Sequence, residues 1–178
     1  MPKRIISELK TFFKAGKRPT EKQFEDMLDS YVHLDNPDFA GSDEVGSVRT
    51  GILKHLMTKN SSTHLYHIKL PYKVDTHTAM YYLHASGYSY QSGEIIDIIW
   101  TGYCYRPSNA ISKTKTHINR STAITAGQYV GTDSSVYLWF KVPNIYYTTF
   151  RLDAMKVGNG TMLKQGDVQL TVSDLAQL

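Results

Sequence analysis

The stretch that most constrains this chain is residues 94–105, EIIDIIWTGYCY. It follows a tight turn at Gln91-Ser92-Gly93, and residues 87–107 read as a two-stranded hairpin. Side chains on a strand alternate between sheet faces, so a strand with one wet face alternates apolar and polar residues. This strand does not. One register carries Ile96, Ile98, Trp100, Gly102 and Cys104. The other carries Ile95, Asp97, Ile99, Thr101, Tyr103 and Tyr105. Both faces are therefore expected to meet protein. One face can be the core of the strand's own domain. The other needs a second layer or a second copy of the chain.

At 178 residues the chain is long enough for one ordinary domain with a small addition. Thirteen Tyr stand against six Phe. That balance suits faces that are half buried or make contacts, because the tyrosine ring packs while its hydroxyl stays wet. A net charge of +4, spread along the chain, is a weak pointer to nucleic acid. Cys104 is the single cysteine, which excludes an internal disulfide. Its place in the more apolar register predicts a small buried hydrophobe. The opening MPKRIISELK lacks the apolar region of a signal peptide, and no apolar run reaches the length of a membrane span. These features predict synthesis in a reducing cytosol, with no membrane span.

Two amphipathic helices are predicted first. Ile5, Leu9, Phe12 and Phe13 recur at helical spacing over residues 4–15, with Gly16 as the stop. Thr20 and Gln23 form a capping-box pattern behind Pro19. Phe24, Met27, Leu28 and Tyr31 then make one stripe on a helix over residues 20–33. Helices this short are marginal alone, so the stripes must pack on each other, on sister chains or on another protein. Residues 1–34 are read as this helical segment and residues 35–62 as a linker. Within the linker, residues 52–59 fit either a short helix or an extended lead-in. From residue 63 to 178 the period switches to two, giving about eight short strands with turns between them, of which Gly158-Asn159-Gly160 reads as a hairpin turn. The expected fold is mainly β: an antiparallel β-sandwich or jelly roll preceded by a short helical pair. Residues 111–118, ISKTKTHI, are polar and basic, as suits an edge strand. Val136, Leu138, Phe140 and Val142 make an apolar face, yet Tyr137 and Trp139 opposite them are also large. Tyr103, Tyr105, Tyr137 and Trp139 are thus candidates for contacts between copies. A fully enclosed core strand would give the same letters.

No catalytic signature stands out. The seven histidines are scattered, and none pairs with another His or a Cys at metal-ligand spacing. Carboxylates cluster in the helical segment and the linker, leaving few in the β-region. Asp97 amid isoleucines is the odd one, and a pairing with Lys or Arg or an interface hydrogen bond explains it better than catalysis. There is no phosphate loop, dinucleotide fingerprint or nucleophile elbow. The expectation is a non-enzymatic protein with no metal and no cofactor. Nucleic-acid binding is disfavoured, although Lys113, Lys115, His117 and Arg120 lie close together near an edge strand.

Residues 9–35, LKTFFKAGKRPTEKQFEDMLDSYVHLD, resemble the N-terminal segment of tail- and fibre-associated proteins of phages and prophages from Bacteroidetes hosts. The matching elements are Phe12-Phe13, Gly16, Pro19-Thr20, Gln23-Phe24, Leu28, Ser30-Tyr31, His33 and Asp35. In those proteins a long connector or fibre follows. Here the linker is brief, which implies a short appendage. Residues 67–72, 87–105 and 137–155 are similar to C-terminal knob domains of phage fibres. The combination resembles virion proteins of crAss-like phages. The resemblance implies a virion location and a homotrimeric knob used as a head fibre or capsid decoration. It also implies docking to capsid or tail proteins through Phe12, Phe13, Phe24, Met27, Leu28 and Tyr31. Its alternatives are a tail-fibre receptor-binding protein that attaches to host surface glycan, or a free carbohydrate- or nucleic-acid-binding module.

Overall fold

The computed structural model describes residues 10–14, 16–30, 48–56, 59 and 65–178, with residues 28–30 described by backbone alone. The chain divides into two compact units, Met1–Gly41 and Ser42–Leu178.

In the first unit a helical turn at residues 10–12 is followed by Gly16 at φ +83°. Helix α1 spans Glu21–Ser30. Its start is the capping box that the spacing predicts. The Thr20 backbone N–H donates to Gln23 Oε1 at 2.9 Å, and the Gln23 N–H donates to Thr20 Oγ1 at 3.4 Å. The two apolar stripes touch through Phe13 and Phe24, whose rings meet edge to face with centroids 5.4 Å apart. Both rings remain more than a third exposed. Predicted helical residues 4–9 and 31–33 lie outside the described residues.

The second unit is an antiparallel sandwich. Its strands are β1 (Val48–His55), β2 (Leu65–Lys73), β3 (Thr78–Ser89), β4 (Glu94–Tyr105), β5 (Ala110–Ile118), β6 (Thr125–Val130), β7 (Ser135–Lys141), β8 (Thr148–Met155) and β9 (Gln169–Ser173). A five-stranded sheet runs in the order β1-β8-β3-β4-β5, and a four-stranded sheet in the order β6-β7-β2-β9. Between the sheets lie Trp100, Tyr66, Phe140, Ile68, Leu83, Ile98, Leu138 and Leu152, all fully buried. Cys104 is buried with them, and burial pushes its thiol pKa up, as a small core residue requires. The polar strand over residues 111–118 is β5, an edge of its sheet.

Two expectations change. Residues 48–55 fall in the predicted linker and form β1 against β8, which makes residues 52–55 extended, one of the two readings they allowed. The pairing carries a register shift between Arg49 and Leu53. Gly51 takes φ +64° there and donates its N–H to Asp153 Oδ1 at 2.6 Å. A bulge held by a glycine and a carboxylate 102 residues away has no alternation to read. The second change concerns Gly158-Asn159-Gly160, predicted as a hairpin turn. It sends the chain to the other sheet, because β8 pairs with β1 and β3 while β9 pairs with β2. Asn159 instead serves the neighbouring strand: its Oδ1 accepts from Met80 N–H at 3.1 Å and its Nδ2 donates to Thr78 O at 3.0 Å.

Candidate interaction faces

The two outward faces of the sandwich are built differently. On the five-stranded sheet, cross-strand register groups the outward side chains into rows. Val48, Met155, Tyr82, Thr101 and Lys115 form one row across all five strands. Met80, Tyr103 and Ser112 form the next. Tyr105 stacks on Tyr103 with centroids 5.2 Å apart. Val48, Met80, Tyr88, Ile95 and Tyr105 are all more than a third exposed. Apolar side chains thus populate this face along its length, and it is open among the described residues. The face carries two ion pairs at its middle: His84 Nε2 lies 2.7 Å from Asp97 Oδ1, and Arg151 Nε lies 3.2 Å from Asp153 Oδ2. The His84 bond, with Asn119 and Arg120 nearby, holds the Asp97 carboxyl below the usual carboxylate range. The partner of Asp97 is therefore a histidine, where the sequence suggested Lys or Arg.

The four-stranded sheet also turns large residues outward, but its own chain covers them. Tyr129 stacks flat on Tyr137 at 5.1 Å. Lys69 Nζ sits 5.9 Å over the Tyr137 ring and 2.6 Å from Asp133. Tyr137 is only 7% exposed. Trp139 lies half buried over Gly127, where an added Cβ would come within 2.8 Å of the indole nitrogen. The segment after β9 turns back over this face. His67 Nε2 donates to Leu175 O at 3.0 Å, since a carbonyl can only accept. That fixes the neutral tautomer, so His67 Nδ1 accepts from the Tyr129 hydroxyl at 3.0 Å. The Tyr129 oxygen in turn accepts the Leu178 N–H at 3.0 Å. His67 is fully buried in this network.

A pH dependence follows. Burial holds the His67 pKa below the ordinary 6.5, a shift that the Leu175 carbonyl partly offsets, and burial does the same at His55. Below about pH 6.5 the unfolded chain binds protons that the folded chain refuses. Stability is thus full above that pH and is lost as pH falls through the depressed values. Thermal unfolding should show a lower Tm at about pH 5.5 than at about pH 7.5. In His67→Gln the difference should shrink. Equal midpoints in the native chain would contradict the buried neutral imidazole.

The four candidate contact residues therefore separate. Tyr103 and Tyr105 share the open face of the five-stranded sheet, while Tyr137 and Trp139 lie on the other sheet, where Tyr137 packs between Tyr129 and Lys69 and Trp139 lies over Gly127. Of the helical candidates, Phe12 and Met27 are half buried, Phe13 and Phe24 touch, and the Leu28 side chain and Tyr31 lie outside the described residues. Sequence spacing gave no hint of Gln128, which ties the sheets together at one edge. Its Oε1 accepts from Tyr81 OH at 2.6 Å, and its Nε2 donates to Thr101 O at 3.0 Å and Lys115 O at 2.8 Å. Among the described residues no group of three His, Cys, Asp or Glu is placed to hold a metal ion. No described helix is long and apolar enough to cross a membrane. No family model matches the sequence, and no curated protein or solved structure matches it either.

Proposed function

We propose that this chain is a non-enzymatic phage virion protein, a short trimeric fibre serving as a head fibre or decoration. Its N-terminal helices dock it to the capsid or tail, and its β-sandwich is the outward knob. The observation that carries the assembly is the contrast between the two outer faces. One is filled by the chain itself, through the packing of Tyr137 between Tyr129 and Lys69 and the bonds that Leu175 and Leu178 make to His67 and Tyr129. The other presents Val48, Met80, Tyr103 and Tyr105 towards one end and Ile95 at the other, with the His84–Asp97 and Arg151–Asp153 pairs between them. A partner copy is the occupant that this reading assigns to it. Docking rests on the N-terminal resemblance and on the half-exposed Phe13 and Phe24 pair. Host glycan recognition is the second reading, favoured by exposed tyrosines at one end of the sandwich.

Sedimentation equilibrium of the purified chain should give three times its 20.2 kDa mass. A stable, folded monomer would overturn the trimer. Deleting residues 1–34 should abolish incorporation into particles while the β-unit stays folded. Particles that still carry the truncated chain would overturn the docking role.

A further inference from the structure

Three tyrosines gather where the β3–β4 turn meets the loop between β7 and β8. Tyr90 is 60% exposed in the turn, and Tyr146 and Tyr147 are half buried in the loop. The Tyr90 ring meets Tyr147 edge to face at 6.1 Å, and Tyr147 meets Tyr146 at 4.4 Å. The two segments are adjacent because Ser89 pairs with Thr148 in the β3–β8 ladder.

Beneath the rings the support is buried and bonded. Ser89 Oγ donates to Asn144 O at 3.1 Å and lies 3.2 Å from Thr148 Oγ1. Asn144 Oδ1 accepts the Tyr146 N–H at 2.8 Å, and Ile145 is anchored in the core. Tyr147 is held at φ +50°, a left-handed conformation that a bulky residue adopts only against its preference. Such a backbone persists where the surroundings over-determine it, and such positions concentrate at binding sites. The loop that carries Tyr146 and Tyr147 is therefore fixed in place, and the Tyr90 ring beside it stays in water.

The charge at this end narrows the ligand. Residues 88–93, YSYQSG, and residues 143–149, PNIYYTT, contain no Lys, Arg, Asp or Glu. Nucleic acid also stacks on aromatic rings, but its binding draws on phosphate contacts with cations, which these segments lack. A tyrosine ring offers a flat apolar surface at low entropic cost and a hydroxyl at its rim. An uncharged sugar has the matching form, with C–H groups on one face of the pyranose ring and hydroxyls around its edge. We propose that Tyr90, Tyr146 and Tyr147 form a binding site for an uncharged saccharide, with pyranose rings stacked on the tyrosine faces. The site belongs to a single copy of the chain and does not depend on trimer formation or virion placement.

The test is calorimetric titration of the full chain with neutral oligosaccharides of glucose, mannose, galactose and N-acetylglucosamine, and with an oligothymidylate. At least one saccharide should bind with a Kd on the order of 1 mM or tighter. Tyr90→Ala should weaken it roughly tenfold, in line with the loss of one stacked ring. Tyr147→Gly should weaken it similarly without lowering Tm, because glycine accepts the left-handed backbone. Tyr105→Ala, on the open sheet face, should leave it unchanged. Failure of all four saccharides to bind at about 10 mM would overturn the proposal. So would affinity unchanged by both tip variants, or a salt-sensitive preference for the oligothymidylate. None of these outcomes bears on the oligomeric state, and a monomeric chain that binds saccharide leaves this site standing.

Discussion

Trp100→Ala is expected to lower stability by about 3–5 kcal/mol, the usual cost of truncating a buried large aromatic to alanine. At a fixed chain concentration that corresponds to a fall in Tm of roughly 10 °C for a domain of this size. Trp100 is fully buried on β4, the most apolar strand of the chain. Its register neighbours are Leu83 on β3 and Thr116 on β5. Its ring reaches Phe140 of the other sheet at 6.3 Å. Its Nε1–H donates to Gly127 O at 3.1 Å, so one side chain both fills the space between the sheets and bonds across it. Alanine would leave a cavity and an unpaired carbonyl in an interior too dense to collapse fully. Trp100→Phe keeps most of the volume and loses the bond, and should cost about 1–3 kcal/mol. Urea denaturation of the three proteins would order them, and a loss of under about 1 kcal/mol for the alanine variant would mean that the sheets do not depend on this contact.

Local features of this fold were legible from spacing. Thr20 and Gln23 sit three apart and bond reciprocally, so the helix start needs no tertiary information. Residues 111–118 show a polar edge strand because edge chemistry is written into the strand itself. The apolar register from Ile96 to Cys104 faces the core as its period demands. Features set by distant partners were not legible. β1 reads as linker because Gly51 and a bulge break its alternation, and its pairing with β8 spans about a hundred residues. Gln128 is a lone polar residue in sequence, yet it joins β6 to carbonyls of β4 and β5. Strands β4 and β7 carry the same two-faced pattern with opposite outcomes. On the outer face of β7, Tyr137 is packed between Tyr129 and Lys69, and Leu175 and Leu178 return to bond the neighbouring His67 and Tyr129. Nothing in the letters of either strand says where the end of the described chain will lie. The tyrosine tip was hidden for a related reason: adjacent pairs such as Tyr146 and Tyr147 look like ordinary strand residues until a loop turns them outward.

A charge placed on the open sheet face should dissolve the proposed assembly while leaving each copy folded. Tyr103 faces Met80 on β3 and Ser112 on β5, and it stacks on Tyr105. In the double variant Met80→Glu and Tyr103→Glu, each carboxylate is solvated on a free chain and costs the fold little. Buried between copies without a partner it would cost several kcal/mol, on the scale of breaking a buried ion pair at about 3–5 kcal/mol. Two such charges in each copy exceed what an interface of ordinary size, about 800 Å² per partner, can absorb. Sedimentation should then report a species of 20.2 kDa with circular dichroism like that of the parent. The matching control is Gln169→Glu, an exposed position beside Lys69 on the opposite sheet, which should leave the mass unchanged. Tyr137→Glu would not serve as a control, because its ring lies between Tyr129 and Lys69 and its loss disturbs the fold itself. If the double variant sediments with the parent mass, copies do not meet through this face, and its apolar rows must be assigned to a different partner.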